Sequence, residues 1–274
     1  MRAAHLFVDD DPKILEDRCA LLFVGTGQGK IFLEMADALH QPIPRSIRGI
    51  IVMRARFVED LLTEAIARGV TQYVILSAGL DSFAYRRRDV EKILRIYEVD
   101  LPGTQEWKRN RLIEAGIGIP GNVVFVPIDF EKQSLPEAIA ASGYCDKEPA
   151  FFSWLGATQY LTEDAVLHTL HTIVRMAAPG SQIIFQYNVP DSMLEDEDLK
   201  VREFLEKTCQ EKGEPLLSAF APGRLASMLE DMGYYEVMDF APRDAFYQYF
   251  RGRNDGLCPH NASHLMAGRI GLNR

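Results

Sequence analysis

Five short, largely apolar runs constrain the fold of this chain more than any other feature. They are Tyr73–Ser77 (YVILS), Leu94–Val99 (LRIYEV), Val123–Val126 (VVFV), Ala150–Trp154 (AFFSW) and Gln182–Tyr187 (QIIFQY). Continuous runs of this length suit strands buried on both faces of a parallel sheet. Helix-period segments separate them, each with its own punctuation. Thr104 opens one that closes near Gly116, and Ser134 with Glu137 makes a capping-box pattern closed by Gly143. Thr162 opens another, with Glu163 and Asp164 in its first turn, where acids suit the helix dipole. Strand alternating with helix predicts a doubly wound, Rossmann-like α/β fold.

Two flanks break the alternation. Residues 1 to about 70 read as helical throughout. Residues 191–221 also read as helical, with Ser192 and Glu195 as a capping box before an acidic first turn. Segments 1–50 and 191–221 are expected to form helical lids over one edge of the sheet, within a single domain spanning 1–274. Strand-like runs return at Tyr235–Phe240 and His264–Ile270, which predicts an antiparallel edge.

Charge narrows the function classes. The chain has 274 residues, with 30 Lys and Arg against 39 Asp and Glu, a net charge of −9. That balance argues against a nucleic-acid partner, because neutralising phosphates needs a basic surplus. No apolar run approaches the ~18 residues of a membrane span. Met1–Pro12, with its Asp9-Asp10-Asp11 run, does not read as a secretory signal. Cys19, Cys145, Cys209 and Cys258 form no CxxC pair and read as reduced thiols, so a cytoplasmic setting is expected. The oligomeric state stays open.

Chemistry concentrates in Val74–Asp100. A hydrophobic strand runs directly into Ala78-Gly79-Leu80-Asp81-Ser82, and open α/β sheets bind ligands at the carboxyl ends of their strands. Gly79 has no Cβ, so a ligand can approach the backbone closely there. Asp100 ends the next strand 21 residues further on, the spacing of an acid that accepts from ribose hydroxyls. The third strand ends at Ile128-Asp129-Phe130, where an acid and an aromatic could read and cover an adenine. Together these make an adenosyl-ligand site. A dinucleotide fingerprint would need GxGxxG to seat a pyrophosphate. This turn has one glycine, and Asp81 stands where a diphosphate would be repelled. S-adenosyl-L-methionine carries a sulfonium and no phosphate, and suits the turn better.

Helical phase adds Arg54. Residues 50–67 read as a helix whose inward stripe is Phe57, Val58, Leu61, Leu62, Ala65 and Ile66, and Arg54 lies at i−4 from Val58 on that face. Arg56 falls with Asp60 and Thr63 on the polar face. An inward arginine needs an anion, since an unpaired buried charge costs about 3–5 kcal/mol. The methionyl carboxylate of the ligand and a protein acid are both open as its partner.

The blocks MRARFVEDLL, YVILSAGLDSFAYR, IYEVDLP, VPIDF and FFSWLGATQYLT, in that order, resemble the leucine carboxyl methyltransferase family, which includes bacterial polyketide-type O-methyltransferases. The resemblance runs from about Arg2-Ala3-Ala4 to Pro190. It implies a class I methyltransferase with a mostly parallel seven-stranded sheet, an antiparallel last strand and S-adenosyl-L-methionine as donor. By position, Arg54 would hold the methionyl carboxylate, Gly79 would line the methionyl pocket, Asp100 would bind the ribose, and Asp129 with Phe130 would hold the adenine. The candidate donor-binding set is Arg54, Ala78, Gly79, Asp81, Asp100, Leu101, Asp129, Phe130, Ser153 and Trp154. Tyr160 is the candidate for the acceptor pocket, which would take a small-molecule methyl acceptor. The chain departs from many family members at Leu155, where a glutamate is common, and at Glu131, where an arginine is common. Those departures leave carboxyl and hydroxyl acceptors both open and keep a non-catalytic adenosyl-binding module as a rival; a nicotinamide-dependent oxidoreductase is the other rival, disfavoured by the single-glycine turn. No general base is identified.

Other motifs read as structural. Gly25–Lys30 resembles a phosphate loop, but has three residues between Gly25 and Gly29-Lys30 and no following Ser or Thr. Cys258, His260 and His264 have zinc-like spacing without a fourth ligand, so no metal is expected. His168 and His171 read as surface residues, Asn261-Ala262-Ser263 as a chance sequon, and both Arg86-Arg87-Arg88 and Glu195–Asp198 as solvated helix faces.

Overall fold

A computed structural model describes residues 1–25, 29–129 and 133–271. The helices of the N-terminal flank are α1 (Arg2–Val8), α2 (Arg18–Val24), α3 (Gly29–Glu34), α4 (Ala36–Leu39) and α5 (Pro42–Ala67). The alternating region follows: β1 (Gln72–Leu76), α6 (Phe83–Arg86), β2 (Arg95–Asp100), α7 (Pro102–Glu114), β3 (Val123–Pro127), α8 (Leu135–Ala141), β4 (Ala150–Trp154), α9 (Glu163–Met176) and β5 (Gln182–Asn188). The C-terminal part holds α10 (Asp196–Glu211), α11 (Pro222–Met232), β6 (Tyr234–Phe240), α12 (Pro242–Ala245) and β7 (Ser263–Ile270).

The strands form one seven-stranded sheet in the order β3-β2-β1-β4-β5-β7-β6. β1 to β5 pair in parallel, and β7 runs antiparallel to both β5 and β6. The expected antiparallel strand is therefore inserted between its neighbours, and β6 forms the edge. All residues of β1, β4 and β5 are buried, as strands covered on both faces must be. Period two sends Tyr73, Ile75, Phe151 and Ile184 to one layer, where Val52, Phe57 and Leu62 of α5 cover them. It sends Val74, Leu76, Phe152 and Phe185 to the other, beneath Val166 and Leu170 of α9 and Leu225 of α11.

Local signals held unevenly. Thr162 caps α9, accepting from Ala165 N at 3.2 Å, whereas Ser134 precedes α8 without a capping hydrogen bond. The helix expected over 50–67 begins at Pro42, whose ring presets the first helical φ. Ser192 lies in a short turn, Asp191–Met193, and Glu195 is the N-cap residue of α10, so the Ser192 capping box does not form. That helix stops at Glu211, so the segment 191–221 is helical only in part. No helix among the described residues is long and apolar enough to cross a membrane.

Candidate functional site

The turn leaving β1 is built on left-handed backbone: Ser77 has φ +53° and Gly79 φ +45°. Glycine adopts this region freely, but a residue with a Cβ pays about 1–2 kcal/mol. Hydrogen bonds hold the strained turn. Ala78 N donates to Val99 O at 3.0 Å. Gly79 N donates to Asp100 Oδ2 at 2.5 Å, and Leu101 N to Asp100 Oδ1 at 2.7 Å. Asp100 thus fastens the loops after β1 and β2 to each other. Asp81 Oδ1 accepts from Phe83 N at 2.8 Å and fixes the entry to α6.

A cavity of about 280 Å³ opens over this turn, and Arg54, Ala78, Gly79, Asp81 and Ser153 all line it. Five residues expected from sequence are thereby brought together. Ser153 Oγ lies 2.9 Å from the Tyr73 hydroxyl. Asp100 borders the cavity through Gly79, and Leu101 beside it is 50% exposed. Ile128 N donates to Asp100 O at 2.9 Å, which carries Asp129 to the same end of the sheet. Phe130 and Glu131 fall outside the described residues, as do residues 26–28 of the Gly25–Lys30 loop. Trp154 departs from expectation: it is buried in the core layer with Leu76 and Phe152. Period two explains this, since Ser153 and Trp154 must point to opposite faces of the sheet.

Arg54 is half-buried between the helix and the end of the sheet. Desolvation, helped by the nearby Arg2 charge and opposed by Tyr160 and Asp81, lowers its pKa to about 10. Its guanidinium donates to Gln186 Oε1. Among the described residues no carboxylate forms an ion pair with it, so a protein acid does not fill the role left open by its helical phase.

Two further lining residues escaped the sequence reading. Arg2 lines the cavity, donates to Leu80 O, and pairs with Asp17 Oδ2 at 3.0 Å. Asp17 is fully buried and also accepts from Ser82 Oγ at 2.6 Å, so α1 and α2 are latched onto the loop after β1. The signal for Arg2 was its place in the Arg2-Ala3-Ala4 block. Gly156, with φ +71°, makes room for Arg54 after β4.

A second cavity of about 190 Å³ shares Arg54, Ile51 and Gly156 with the first. Its wall includes Tyr160, Gln186, Asn188 and His260, together with Leu205 and Cys209 of α10. Tyr160 Oη lies 3.7 Å from Cys209 Sγ, and burial raises its phenol pKa above the usual value. His260 is held in place from two sides. Asp198 accepts from Asn261 N at 2.8 Å and from Asn261 Nδ2 at 2.9 Å, and the Cys258–Pro259 backbone presses on Gly49 of α5.

Two residues of the expected solvated faces are corrected by these contacts. Asp198 is buried, bonded to Asn261, and Arg86 is half-buried between Glu59 and Asp17, whereas Arg88, Glu195, Asp196 and Glu197 are exposed as expected. His168 and His171 are exposed, as expected. His264 pairs with Asp239 at 3.0 Å. Among the described residues no group of His, Cys, Asp and Glu is placed to hold a metal.

Residues 1–174 match the model of the leucine carboxyl methyltransferase family. The chain is 32% identical over 214 residues to a Bacillus subtilis (strain 168) protein named "Putative S-adenosyl-L-methionine-dependent methyltransferase", covering 78% of this chain and 70% of that one. A Mycolicibacterium paratuberculosis (strain ATCC BAA-968 / K-10) protein of the same description is 35% identical over 142 residues, 52% of this chain and 46% of the relative, so the match spans about half of each. A solved "putative methyltransferase" from Thermobifida fusca YX superposes with a TM-score of 0.61 at 20% identity over 92% of each chain, which shows a common fold.

Proposed function

The chain belongs to the leucine carboxyl methyltransferase family and is an S-adenosyl-L-methionine-dependent methyltransferase; from that premise we propose that it methylates a carboxyl or hydroxyl oxygen of a small molecule. The observation that carries this reading is Arg54, a half-buried cation without a carboxylate ion pair among the described residues, standing in the wall common to two cavities. The first cavity takes the donor. Its methionyl carboxylate lies at Arg54, with Arg2 as a second cation, and the Cβ-free Gly79 admits the chain. Asp100 accepts from the ribose hydroxyls, and Asp129 with Phe130 holds the adenine. The second cavity takes the acceptor, with Tyr160 in its wall.

Bound there, S-adenosyl-L-methionine supplies a methyl group on a sulfonium, which accepts an oxygen nucleophile in line. The protein's part is orientation and approximation. Arg54 and Gly156 set the junction at which the two ligands meet. The segments 1–50 and 191–221 act as lids: Arg2 closes on the donor side, Leu205 and Cys209 on the acceptor side, and together they exclude water. The four free cysteines suit a cytoplasmic setting.

Thermal-shift measurements with S-adenosylhomocysteine, NAD and ATP test the donor site. Stabilisation by S-adenosylhomocysteine is expected, and stabilisation by NAD alone would sink the reading. Transfer of labelled methyl to a panel of small acids and phenols tests the activity. Donor binding with no transfer to any of them would instead favour a non-catalytic module.

A further inference from the structure

Among the described residues, Arg2 and Arg54 are the cations that line the first cavity, and they are anchored differently. Arg2 pairs with the buried Asp17 at 3.0 Å, so an acid already balances its charge. Arg54 is held by an amide instead: its guanidinium donates to Gln186 Oε1. A guanidinium only donates, so the amide must turn its oxygen, not its nitrogen, toward Arg54.

The fold fixes that amide firmly. Gln186 lies on β5 and is 5% exposed. Period two puts it on the same face as Ile184, in the layer under α5, while Phe185 and Tyr187 face the opposite layer. The strand therefore presents the amide to the helix that carries Arg54. Its backbone is tied as well. Gln186 O accepts from Thr158 Oγ1, and Thr158 O accepts from Ser218 Oγ at 3.0 Å. Gly156 closes on the same guanidinium with bare backbone. Neither Gln186 nor Gly156 brings a charge.

We propose that Gln186 is a positioning residue, which aims Arg54 at the methionyl carboxylate of the donor and by its neutrality leaves the positive charge for the ligand. This role rests on the donor-site reading and adds the residue that sets its cation. Glutamate has nearly the shape of glutamine and would fill the same place. Ionised, it would hold Arg54 as an ion pair and repel the carboxylate of the ligand. A half-buried cation without an ion pair costs the free protein stability, and the donor carboxylate supplies the missing partner on binding.

The test is calorimetry with S-adenosylhomocysteine and with adenosine, on the full chain and two variants, beside their melting temperatures. Gln186→Glu should weaken S-adenosylhomocysteine binding by at least about tenfold. It should leave adenosine, which has no carboxylate, unaffected, and should melt no lower than the native chain because the new acid pairs with Arg54. Gln186→Leu keeps the place neutral and removes only the aim. It should weaken S-adenosylhomocysteine binding by about threefold, again with adenosine unaffected. Native S-adenosylhomocysteine affinity in either variant, an equal loss of adenosine affinity, or a lower melting temperature in Gln186→Glu would each overturn the positioning role. A native chain that does not bind S-adenosylhomocysteine would instead overturn the donor-site reading beneath it.

Discussion

Arg54 and Gly156 are fitted to one another: a Cβ built on Gly156 would stand 3.0 Å from both terminal guanidinium nitrogens of Arg54. Gly156 also has φ +71°, a conformation that L residues adopt at a cost. The two residues line both cavities, so displacing the guanidinium changes the donor and acceptor sides together. Gly156→Ala should weaken S-adenosylhomocysteine binding by about tenfold, the scale of one shifted charge-assisted contact. Calorimetry beside a circular dichroism spectrum checks this. Native affinity in a folded variant would show that the close fit has no bearing on the donor.

Arg54 sets stability against function. A half-buried guanidinium with no carboxylate ion pair among the described residues is costly to the fold, and a group kept at such a cost is expected to meet its anion in the ligand. Arg54→Met should therefore leave the melting temperature of the free protein unchanged or raised. It should reduce S-adenosylhomocysteine affinity by about tenfold or more. A variant that loses stability and keeps its affinity would assign Arg54 to the fold alone.

Asp100 divides its carboxylate between Gly79 N and Leu101 N. Asp100→Ala removes both links at the solvent-facing ends of the strands, away from the core. We expect S-adenosylhomocysteine affinity to fall by about tenfold or more, while the chain still unfolds cooperatively. The comparison that decides is adenosine against S-adenosylhomocysteine: both should weaken if Asp100 serves the ribose, and neither if it only ties the loops.

The sheet was legible because strands buried on both faces leave continuous apolar runs, and β1, β4 and β5 are buried along their whole length. Much of the donor cavity was legible because its residues cluster at strand ends or share a helix face, as Gly79, Asp81, Asp100 and Arg54 do. What lay hidden depends on partners distant in sequence. Arg86 and Asp198 sit in charge runs that look solvated until Glu59 and Asn261 are folded against them. Ser153 and Trp154 both read as donor-site candidates, because a strand end shows its residues but not which way the pleat turns each, and only Ser153 faces the cavity. His260 shows zinc-like spacing in the sequence, whereas its ring is fixed by the backbone N–H of Ala262.

Gly49 keeps that ring in place. A Cβ there would lie 2.4 Å from Cys258 O and 2.8 Å from Pro259 N, both backbone atoms that cannot swing aside. Gly49→Ala must push α5 away from the segment leading to His260. Overpacking of this kind costs about 1–3 kcal/mol, read as a lower denaturation midpoint. S-adenosylhomocysteine binding should stay near native, since the displaced segment lines only the second cavity. Loss of that binding as well would point to a general loosening of the domain.

His260 also predicts an acid sensitivity with a definite sign. Burial lowers its pKa to about 4 from the usual 6.5 of a histidine. Asp198 on α10 works against that shift, while Arg202 on α10 and Arg54 on α5 reinforce it. The folded state therefore prefers the neutral ring, and the unfolded chain takes up a proton first as pH falls. The stabilisation is fully present above about pH 6.5 and is lost progressively as pH falls toward about 4. By pH 5 the loss amounts to about 2 kcal/mol from this group, a range in which most carboxylates are still ionised. Denaturant unfolding of the native chain and of His260→Gln at pH 7 and pH 5 separates this group from every other. The native chain should lose about 2 kcal/mol more than the variant over that interval. Equal losses would mean that the ring titrates as it does in water.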